Sequence, residues 1–336
     1  MKTLVVLPNW VGDTVLALPV LEALAASDRQ LAVCSRPHLS SLLQPLPAVE
    51  TVVLRSSSDG ETVRQIQSQT YDEAVILPNS FRSSWLAFRA GIPRRWGYSR
   101  LSLEGMLRAA ILRPAVRQHR RRSHHQVEDY ADLLSAMGVD LPEWTPRLQL
   151  SPKQLDNGRQ LLARARLESD ESPLIGLFAG AEFGPSKRWP WRRFIDFSRA
   201  LRKHLPASRQ VVIAGPKEVW LAVRIHQESG KIHPVLGPDL DLGHLATVLA
   251  QLDLLVTNDS GPMHLAAAVG TPCLALFGPT DPVRTRPVGE AHQVLHSDRW
   301  CSPCFRRRCP LLHQGCMKDI TVDQAVERAL RMLERH

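Results

Sequence analysis

Short apolar runs alternate with longer stretches of mixed apolar and polar residues along most of the chain. This alternation is typical of parallel α/β sheets, whose strands are buried on both faces and are connected by helices. The runs form two series, separated by a polar, charged stretch at residues 151–172 that we interpret as a helix followed by a linker. The predicted strands are residues 3–7, 31–35, 51–54 and 74–77 in the first series and residues 174–178, 210–214, 254–257 and 273–277 in the second.

Helical periodicity marks several of the stretches that connect these runs. The clearest helical stretches are residues 191–204, 245–250, 263–269 and 321–334. Thr321 precedes the last of them and is predicted to be its N-cap. Pro19 is predicted to kink or restart the first helix of the chain, because proline cannot donate a backbone hydrogen bond.

The pattern predicts an α/β protein built from two Rossmann-like domains, residues 1–165 and 166–320, followed by a C-terminal helix at residues 321–336. Ligands of such sheets bind beyond the carboxyl ends of the strands. We therefore expect the two domains to face each other across a cleft that holds the functional site.

The composition agrees with a soluble globular chain, since 44% of the 336 residues are hydrophobic and 22% are charged. This excludes a disordered, collagenous or polytopic membrane protein. No apolar run approaches the ~18 residues that span a bilayer. The apolar run at the N-terminus is too short for a signal peptide and has no fitting cleavage site. We therefore predict a cytoplasmic location.

The positive charge of the chain is concentrated in one segment. The formal net charge is +9, yet residues 82–122 alone carry +10, from eleven arginines and the single acid Glu104. Arginine suits forked recognition of phosphate or carboxylate groups, although a GC-rich genome would also raise its share. The clustering predicts a local anionic partner rather than a generally basic protein.

The loop after the first predicted strand, Pro8-Asn9-Trp10-Val11-Gly12-Asp13, carries the first candidate for chemistry. Gly12 allows close approach of a ligand to the backbone, and Asp13 is placed at the start of a helix. One interpretation is that Asp13 is an ordinary N-cap. The other is a general base at the cleft, which takes a proton from a sugar hydroxyl.

Three loops of the second series also follow strand ends and should share one edge of the sheet. Lys187, in the loop at residues 180–190, offers a cation to a diphosphate, although the spacing is not that of a P-loop. In the Asn258–His264 loop, Ser260 and Gly261 leave free amides and Asp259 could accept sugar hydroxyls. The Phe277–Pro282 loop contributes Gly278, Thr280 and Asp281.

Two acidic positions have a structural as well as a functional interpretation. Glu218 follows another strand and could bind a ribose diol or simply begin a helix. Asp239 and Asp241 resemble a metal-binding D-x-D pair, but a capping role is favoured and no divalent metal is predicted.

Taken together, these loops resemble those of the ADP-heptose:lipopolysaccharide heptosyltransferases, glycosyltransferases of the GT-B fold. The resemblance covers nearly the whole chain, and the run Ala-Glu-Phe-Gly-Pro-Ser-Lys-Arg-Trp-Pro at residues 181–190 is similar to the branch that adds the second inner-core heptose. It implies metal-independent, inverting transfer of heptose from ADP-heptose to the first heptose of the inner core, with no further cofactor.

The resemblance also implies roles for individual residues. Asp13 would be the general base and Lys187 the cation on the donor diphosphate, so these two are the expected catalytic residues. Donor-binding roles are implied for Glu218, on the adenosine ribose, and for Asp259, Ser260, Gly261, His264 and Thr280. Fixed cations and helix amides would stabilise the departing ADP.

The implied acceptor is heptosyl-Kdo2-lipid A, whose carboxylates and phosphates give the Arg-rich segment a partner. The enzyme would contact it peripherally at the cytoplasmic face of an anionic membrane. A solvated basic surface is the simpler alternative. The predicted acceptor-binding residues are Asn9, Arg94, Arg120, Arg121, Arg122 and His124, with Arg95, Arg117 and His125 also expected to meet these anions.

Three alternative functions remain at this stage. Heptosyltransferase I acts on Kdo, and a sugar-nucleotide epimerase shares the tandem Rossmann plan. A basic nucleic-acid-binding protein would leave the strand-end loops unexplained and lacks a binding motif, so we predict no nucleic-acid partner. Separately, Cys301, Cys304, Cys309 and Cys316, with His313 between them, have a non-standard spacing that leaves thiols, a disulfide or a metal site open.

Overall fold

The computed structural model describes residues 1–44, 46–99, 102–117, 124–167, 172–231 and 233–334. The chain divides into two compact units, Met1–Pro146 and Arg147–His336. Each unit contains a six-stranded sheet in which every pair of neighbouring strands is parallel. The predicted α/β class is therefore confirmed.

In the first unit the strands lie in the order β3-β2-β1-β4-β5-β6. The order reverses between β1 and β4, where the loops that follow the two strands diverge and leave room for a ligand. The strands are β1 (Lys2–Val6), β2 (Gln30–Ser35), β3 (Thr51–Leu54), β4 (Glu73–Ile76), β5 (Arg94–Ser99) and β6 (Ala115–Arg117); the helices are α1 (Val11–Leu16), α2 (Leu18–Ala26), α3 (Ser40–Leu43), α4 (Asp59–Gln67), α5 (Phe81–Arg89), α6 (Leu103–Ile111) and α7 (Gln126–Ala136).

In the second unit the order is β12-β11-β10-β7-β8-β9, and the reversal falls between β7 and β10. The strands are β7 (Leu174–Phe178), β8 (Arg209–Ile213), β9 (Val235–Leu236), β10 (Leu254–Asn258), β11 (Cys273–Phe277) and β12 (Gln293–His296); the helices are α8 (Pro152–Arg164), α9 (Trp191–His204), α10 (Val219–Glu228), α11 (Leu242–Leu249), α12 (Gly261–Ala268), α13 (Pro282–Thr285), α14 (Gly315–Lys318) and α15 (Val322–Leu333).

All eight predicted strands are present, and seven of them are largely buried apolar runs inside their sheets, whereas β3 is a partly exposed edge strand. The pattern did not predict β5, β6, β9 and β12. Three of these, β6, β9 and β12, are edge strands whose sequences are short or polar. β5 lies inside its sheet, yet it begins with two arginines, which a buried strand tolerates only when the guanidinium is hydrogen-bonded. Arg95 Nε donates to the carbonyl oxygen of Ile111 at 2.6 Å.

The predicted helix restart at Pro19 and the predicted caps at Thr321 and Asp241 are present in the structure. The first helix stops at Leu16 and a second starts at Leu18, with Pro19 in its first turn, as expected for a proline that restarts a helix. Thr321 caps α15 through a reciprocal pair of hydrogen bonds with Gln324. Asp241 accepts a hydrogen bond from the backbone N–H of His244 at 2.8 Å, which confirms its capping role.

The division between the units falls nearer the N-terminus than the sequence-based boundary at residue 165. Helix α8 packs on α11 of the second unit. A Cβ atom at Gly158 would lie 2.3 Å from the carbonyl oxygen of Thr247, so the two helices approach more closely than a larger residue would allow. Residues 147–165 therefore belong to the second unit. No helix within the described ranges is both long and apolar enough to cross a membrane.

Candidate active site

Asp13 lies in the first turn of α1, at the carboxyl edge of the first sheet. The N-cap of this helix is Trp10, so Asp13 is not the cap that one interpretation of the sequence proposed. Its Oδ1 instead accepts a hydrogen bond of 3.0 Å from Nε2 of Gln126, which also donates to the hydroxyl of Tyr130 at 3.2 Å. The Asp13 side chain is partly exposed, so the arrangement presents an oriented carboxylate to a ligand.

Beside this loop, Asn9 joins two arginines that follow the ends of β2 and β3. Asn9 Oδ1 accepts hydrogen bonds from Arg36 Nε and Arg55 Nη1, each at 3.2 Å. Arg55 is only 4% exposed, and burial lowers the pKa of its guanidinium. A buried cation is normally paired with a carboxylate, whereas within the described part of the chain the Arg55 side chain bonds to a neutral amide. We call Asn9, Arg36 and Arg55 the arginine pocket.

The carboxylate of Asp59 acts electrostatically on Arg55 but is already engaged elsewhere. Asp59 receives a forked ion pair from Arg82, with the shortest contact at 2.7 Å, and this bond lowers the pKa of Asp59. Three arginines, Arg36, Arg55 and Arg82, thus share the field of one acid. The excess of positive charge favours an anionic ligand at this edge.

The other predicted acceptor residues fall in different places. Arg94 is the first residue of β5 and lies beside Glu73, the first residue of β4, in the strand register. It is therefore at the amino edge of the sheet, opposite Asp13. Arg95 donates hydrogen bonds to the carbonyl oxygens of Ile111 and Pro93, which gives its guanidinium a structural role rather than the predicted contact with an anion. His124 Nδ1 lies 3.5 Å from Glu128 Oε2, near the start of α7. His125 is buried and caps α7, a structural role. Arg120, Arg121 and Arg122 lie outside the described residues.

In the second unit, Asp259 gathers two side chains from neighbouring loops. Its Oδ2 accepts hydrogen bonds from Lys187 Nζ and from Thr280 Oγ1, both at 2.5 Å. Asp259 is 5% exposed and Lys187 is 12% exposed, so this is a largely buried ion pair. The three residues follow β10, β7 and β11, which are adjacent in the sheet. The structure therefore brings together three predicted site residues that are far apart in sequence.

Asn258 fixes the loop that carries Lys187. Its side chain accepts from the backbone N–H of Trp189 at 2.9 Å and donates to the carbonyl oxygens of Ala179 and Gly180. Because Asn258 is fully buried, these bonds tie the β7 loop to the end of β10. The loop therefore holds the Lys187 backbone in one place.

The remaining residues of the Asn258–His264 loop lie at the start of α12. Ser260 is the N-cap by position, but its hydroxyl lies 3.1 Å from that of Thr257 and makes no capping bond. Gly261 opens the helix and His264 is buried in its first turn. The backbone amides at this end carry the positive end of the helix dipole, which suits a phosphate.

Glu218 lies at the end of β8, packed against the glycines of two strand-end loops. A Cβ atom at Gly180 would lie 2.7 Å from Glu218 Cγ, and one at Gly215 would lie 2.9 Å from Oε2. Burial raises the pKa of the Glu218 carboxyl, and Arg188, whose Nη2 lies 4.0 Å from Oε1, opposes that rise. Glu218 does not cap α10 with its side chain. A buried carboxyl group that is held in one orientation at this edge can accept hydrogen bonds from the two hydroxyls of a ribose.

The cysteine-rich segment, residues 299–316, is bound to the loops that carry Lys187 and Thr280. Ser186 donates hydrogen bonds from its hydroxyl to the carbonyl oxygen of Arg306 at 2.5 Å and from its N–H to that of Arg307 at 3.3 Å. Phe305 N–H donates to the carbonyl oxygen of Pro279 at 2.8 Å. The segment therefore positions the residues next to Lys187 and Thr280.

A small cavity of about 60 Å³ lies within this segment. All four of its cysteines are free thiols, and burial raises the pKa of Cys316. The described residues contain no group of three His, Cys, Asp or Glu side chains arranged to hold a metal ion. The cavity is lined by Ser186, Pro279, Cys301, Cys304, Cys309, Pro310, Leu311, His313, Gln314 and Cys316.

Two Rossmann-like units with polar clusters at their strand ends define the class of the chain as a protein of the GT-B fold. The sequence model of the family described as "Glycosyltransferase family 9 (heptosyltransferase)" matches residues 60–314. The chain belongs to this family.

Named relatives and a solved structure agree with this assignment. Lipopolysaccharide heptosyltransferase 2 of Salmonella typhimurium is 32% identical over 88% of this chain and 88% of its own length. Lipopolysaccharide heptosyltransferase 1 of Pseudomonas aeruginosa is 24% identical over 92% of this chain and 87% of its own. The structure of Escherichia coli ADP-heptose heptosyltransferase II covers 100% of this chain and 99% of its own, with a TM-score of 0.83 and 26% identity. The predicted family and GT-B fold are confirmed.

The roles of the individual site residues remain predictions. The sequence missed Gln126 and Tyr130, because the contact with Asp13 spans 113 positions and has no local signal. It also missed Arg36 and Arg55, although both directly follow a strand, which is the same signal that singled out Asp259 and Thr280.

Proposed function

We propose that this chain is a lipopolysaccharide heptosyltransferase II, which transfers L-glycero-D-manno-heptose from ADP-heptose to the first heptose of the inner core. The geometry that carries the proposal is the group at Asp259, where a buried cation and helix amides meet at the strand ends that bind ligands in this fold. The greater similarity to heptosyltransferase 2 than to heptosyltransferase 1 supports the choice of acceptor.

The transfer is a single displacement with inversion at the anomeric carbon. Asp13 removes the proton from the acceptor hydroxyl as the oxygen bonds to the anomeric carbon. The bond from that carbon to the diphosphate breaks at the same time, and ADP leaves with the electron pair. Gln126 orients the Asp13 carboxylate through the 3.0 Å hydrogen bond.

The second unit supplies the donor site. Lys187 and the amides at the start of α12, around Ser260 and Gly261, neutralise the charge that builds on the departing ADP. Asp259 holds Lys187 in place, so that little reorganisation is needed at the moment of reaction. Glu218 accepts the hydroxyls of the ribose, and no metal ion or further cofactor is required by this scheme.

The acceptor binds the first unit through its anionic groups. We assign this role to the arginine pocket, because its buried Arg55 lacks a carboxylate partner in the described structure and lies at the same edge as Asp13. Kdo carboxylates and inner-core phosphates share the chemistry that the forked guanidinium binds. This assignment replaces Arg94, which lies at the opposite edge.

Arg55→Gln should raise the acceptor KM about ten- to hundredfold, the effect of losing a charged hydrogen bond, and leave the donor KM unchanged. Arg36→Gln, at a less buried position, should act in the same direction. Initial rates at varied acceptor concentration measure the effect, and Arg64→Gln on the exposed face of α4 is the control. An unchanged acceptor KM in both pocket variants would remove this assignment.

We also propose that the enzyme works in the cytoplasm, in peripheral contact with the membrane that holds its acceptor. Six free thiols are typical of a reducing compartment. The proposed acceptor is a lipid, which requires the enzyme to approach a bilayer surface.

The decisive experiment measures ADP release from ADP-heptose with defined acceptors. Kdo2-lipid A that already carries one heptose should support turnover, and Kdo2-lipid A without heptose should not. Turnover on the heptose-free acceptor alone would favour heptosyltransferase I. Conversion of a sugar nucleotide without any acceptor would favour an epimerase.

A further inference from the structure

Both charged side chains of helix α6 are hydrogen-bonded within the first unit. Glu104 Oε1 accepts a hydrogen bond of 2.9 Å from the backbone N–H of Phe81, at the start of α5. Arg108 is buried and donates to Ser84 Oγ at 3.1 Å and to Asn79 Oδ1 at 3.2 Å. The buried side of this helix therefore carries the charged Arg108, while Glu104 stays exposed beside α5.

The apolar side of α6 faces solvent as a result. Leu103 is 77% exposed, Met106 is 66% exposed and Leu107 is 51% exposed. A surface helix normally does the reverse, with its apolar stripe toward the core and its charges outward. Such an inversion leaves three large apolar side chains in a row on the surface.

Helix α5 extends this apolar surface. It packs beside α6, and its rings of Phe81, Trp85 and Phe88 stack along the helix with centroid separations of 5.8 and 5.3 Å. Trp85 and Phe88 are also exposed. Single exposed apolar residues are ordinary, whereas a group of this size marks an interaction site. We call the surface formed by Trp85, Phe88, Leu103, Met106 and Leu107 the α5–α6 face.

Exposed arginines lie at one end of the α5–α6 face. Both helices run back to the amino edge of the sheet, where α5 ends at Arg89 and the next strand begins with Arg94. Arg113 follows α6 and its backbone bridges to that of Arg95 on β5. All three arginine side chains are exposed. The face therefore combines an apolar centre with a cationic end.

We propose that the α5–α6 face docks on an anionic lipid bilayer, with its apolar side chains among the acyl chains and its arginines at the headgroups. Trp, Phe and Leu beside Arg are the residues of interfacial membrane anchors. The inference rests on the proposed function, because a lipid-linked acceptor gives the docking a purpose.

The test compares the wild-type chain with the triple variant Leu103→Ser, Met106→Ser, Leu107→Ser in vesicle co-sedimentation. Wild type should bind phosphatidylglycerol vesicles, more strongly at low salt, and bind phosphatidylcholine vesicles weakly. The variant should bind phosphatidylglycerol at least tenfold more weakly. Val223→Ser with Trp300→Ser, two exposed apolar residues of the second unit, is the matched control and should bind like wild type.

Activity on a delipidated acceptor oligosaccharide separates this inference from the proposed function. The triple variant should match wild type on that acceptor and lose activity only on the lipid acceptor in vesicles. Equal vesicle binding by variant and wild type overturns the docking proposal, whatever the transfer assay gives. Failure of wild type on the oligosaccharide overturns the proposed function alone. A dimer that the triple substitution dissociates, without vesicle binding by wild type, would assign the face to self-association instead.

Discussion

Asp13→Asn is expected to slow heptose transfer about 10²–10⁴-fold, the usual contribution of a general base. The substitution keeps an oxygen that can accept the hydrogen bond from Gln126, so the local geometry should persist while the proton acceptor is lost. Binding of ADP-heptose, measured by calorimetry, should be unchanged because the donor residues lie in the other unit. Initial rates of ADP release measure the loss.

Asp28→Asn is a matched control, since this exposed carboxylate lies in the same unit and outside the site. Gln126→Leu should lower kcat less than Asp13→Asn does, because it removes the orienting hydrogen bond and keeps the carboxylate. Normal turnover in Asp13→Asn would rule out its role as the base.

Lys187→Met is expected to reduce both stability and catalysis. The substitution leaves Asp259 as an uncompensated carboxylate that is only 5% exposed, and breaking a buried pair in this way costs about 3–5 kcal/mol. It also removes a cation from the departing diphosphate, which should lower kcat roughly 10²–10³-fold. Denaturant unfolding and single-turnover kinetics measure the two effects separately.

The double variant Lys187→Met, Asp259→Asn separates the structural from the catalytic contribution. Neutralising the buried acid should restore much of the stability but none of the transfer rate. Lys217→Met is the surface control: its ion pair with Glu182 is exposed, and its loss should cost under about 1 kcal/mol. Recovery of transfer in the double variant would show that Lys187 acts only by balancing Asp259.

The residues of the proposed donor site could be predicted from the sequence because their positions follow from one rule of the fold. Lys187, Asp259 and Thr280 each come shortly after an apolar run, and parallel strands place their carboxyl ends at a common edge. The central strands were predictable for a related reason, since burial on both faces requires continuous apolar residues. Neither inference depends on knowing which distant residues meet.

Other features depend on contacts that no local pattern encodes. The bond between Gln126 and Asp13 requires the start of α7 to reach the β1 loop. The position of Arg94 follows from where β5 begins, and the polar residues of that strand hide its start. Residues 103–111 have the spacing of an ordinary amphipathic helix. Only the fold determines that Arg108 faces inward while Leu103, Met106 and Leu107 face solvent.

The structure gives the Arg-rich composition a second cause, apart from any ligand. Arg95 and Arg108 are buried in the first unit. Their guanidinium groups donate hydrogen bonds to carbonyl and amide oxygens at the turns beside α5 and α6. A guanidinium offers five donors in a fixed fork, whereas an ammonium offers three from one atom. Lysine at these two positions could not satisfy the same acceptors, so part of the preference for arginine is architectural and the formal charge of the segment overstates what a partner can meet.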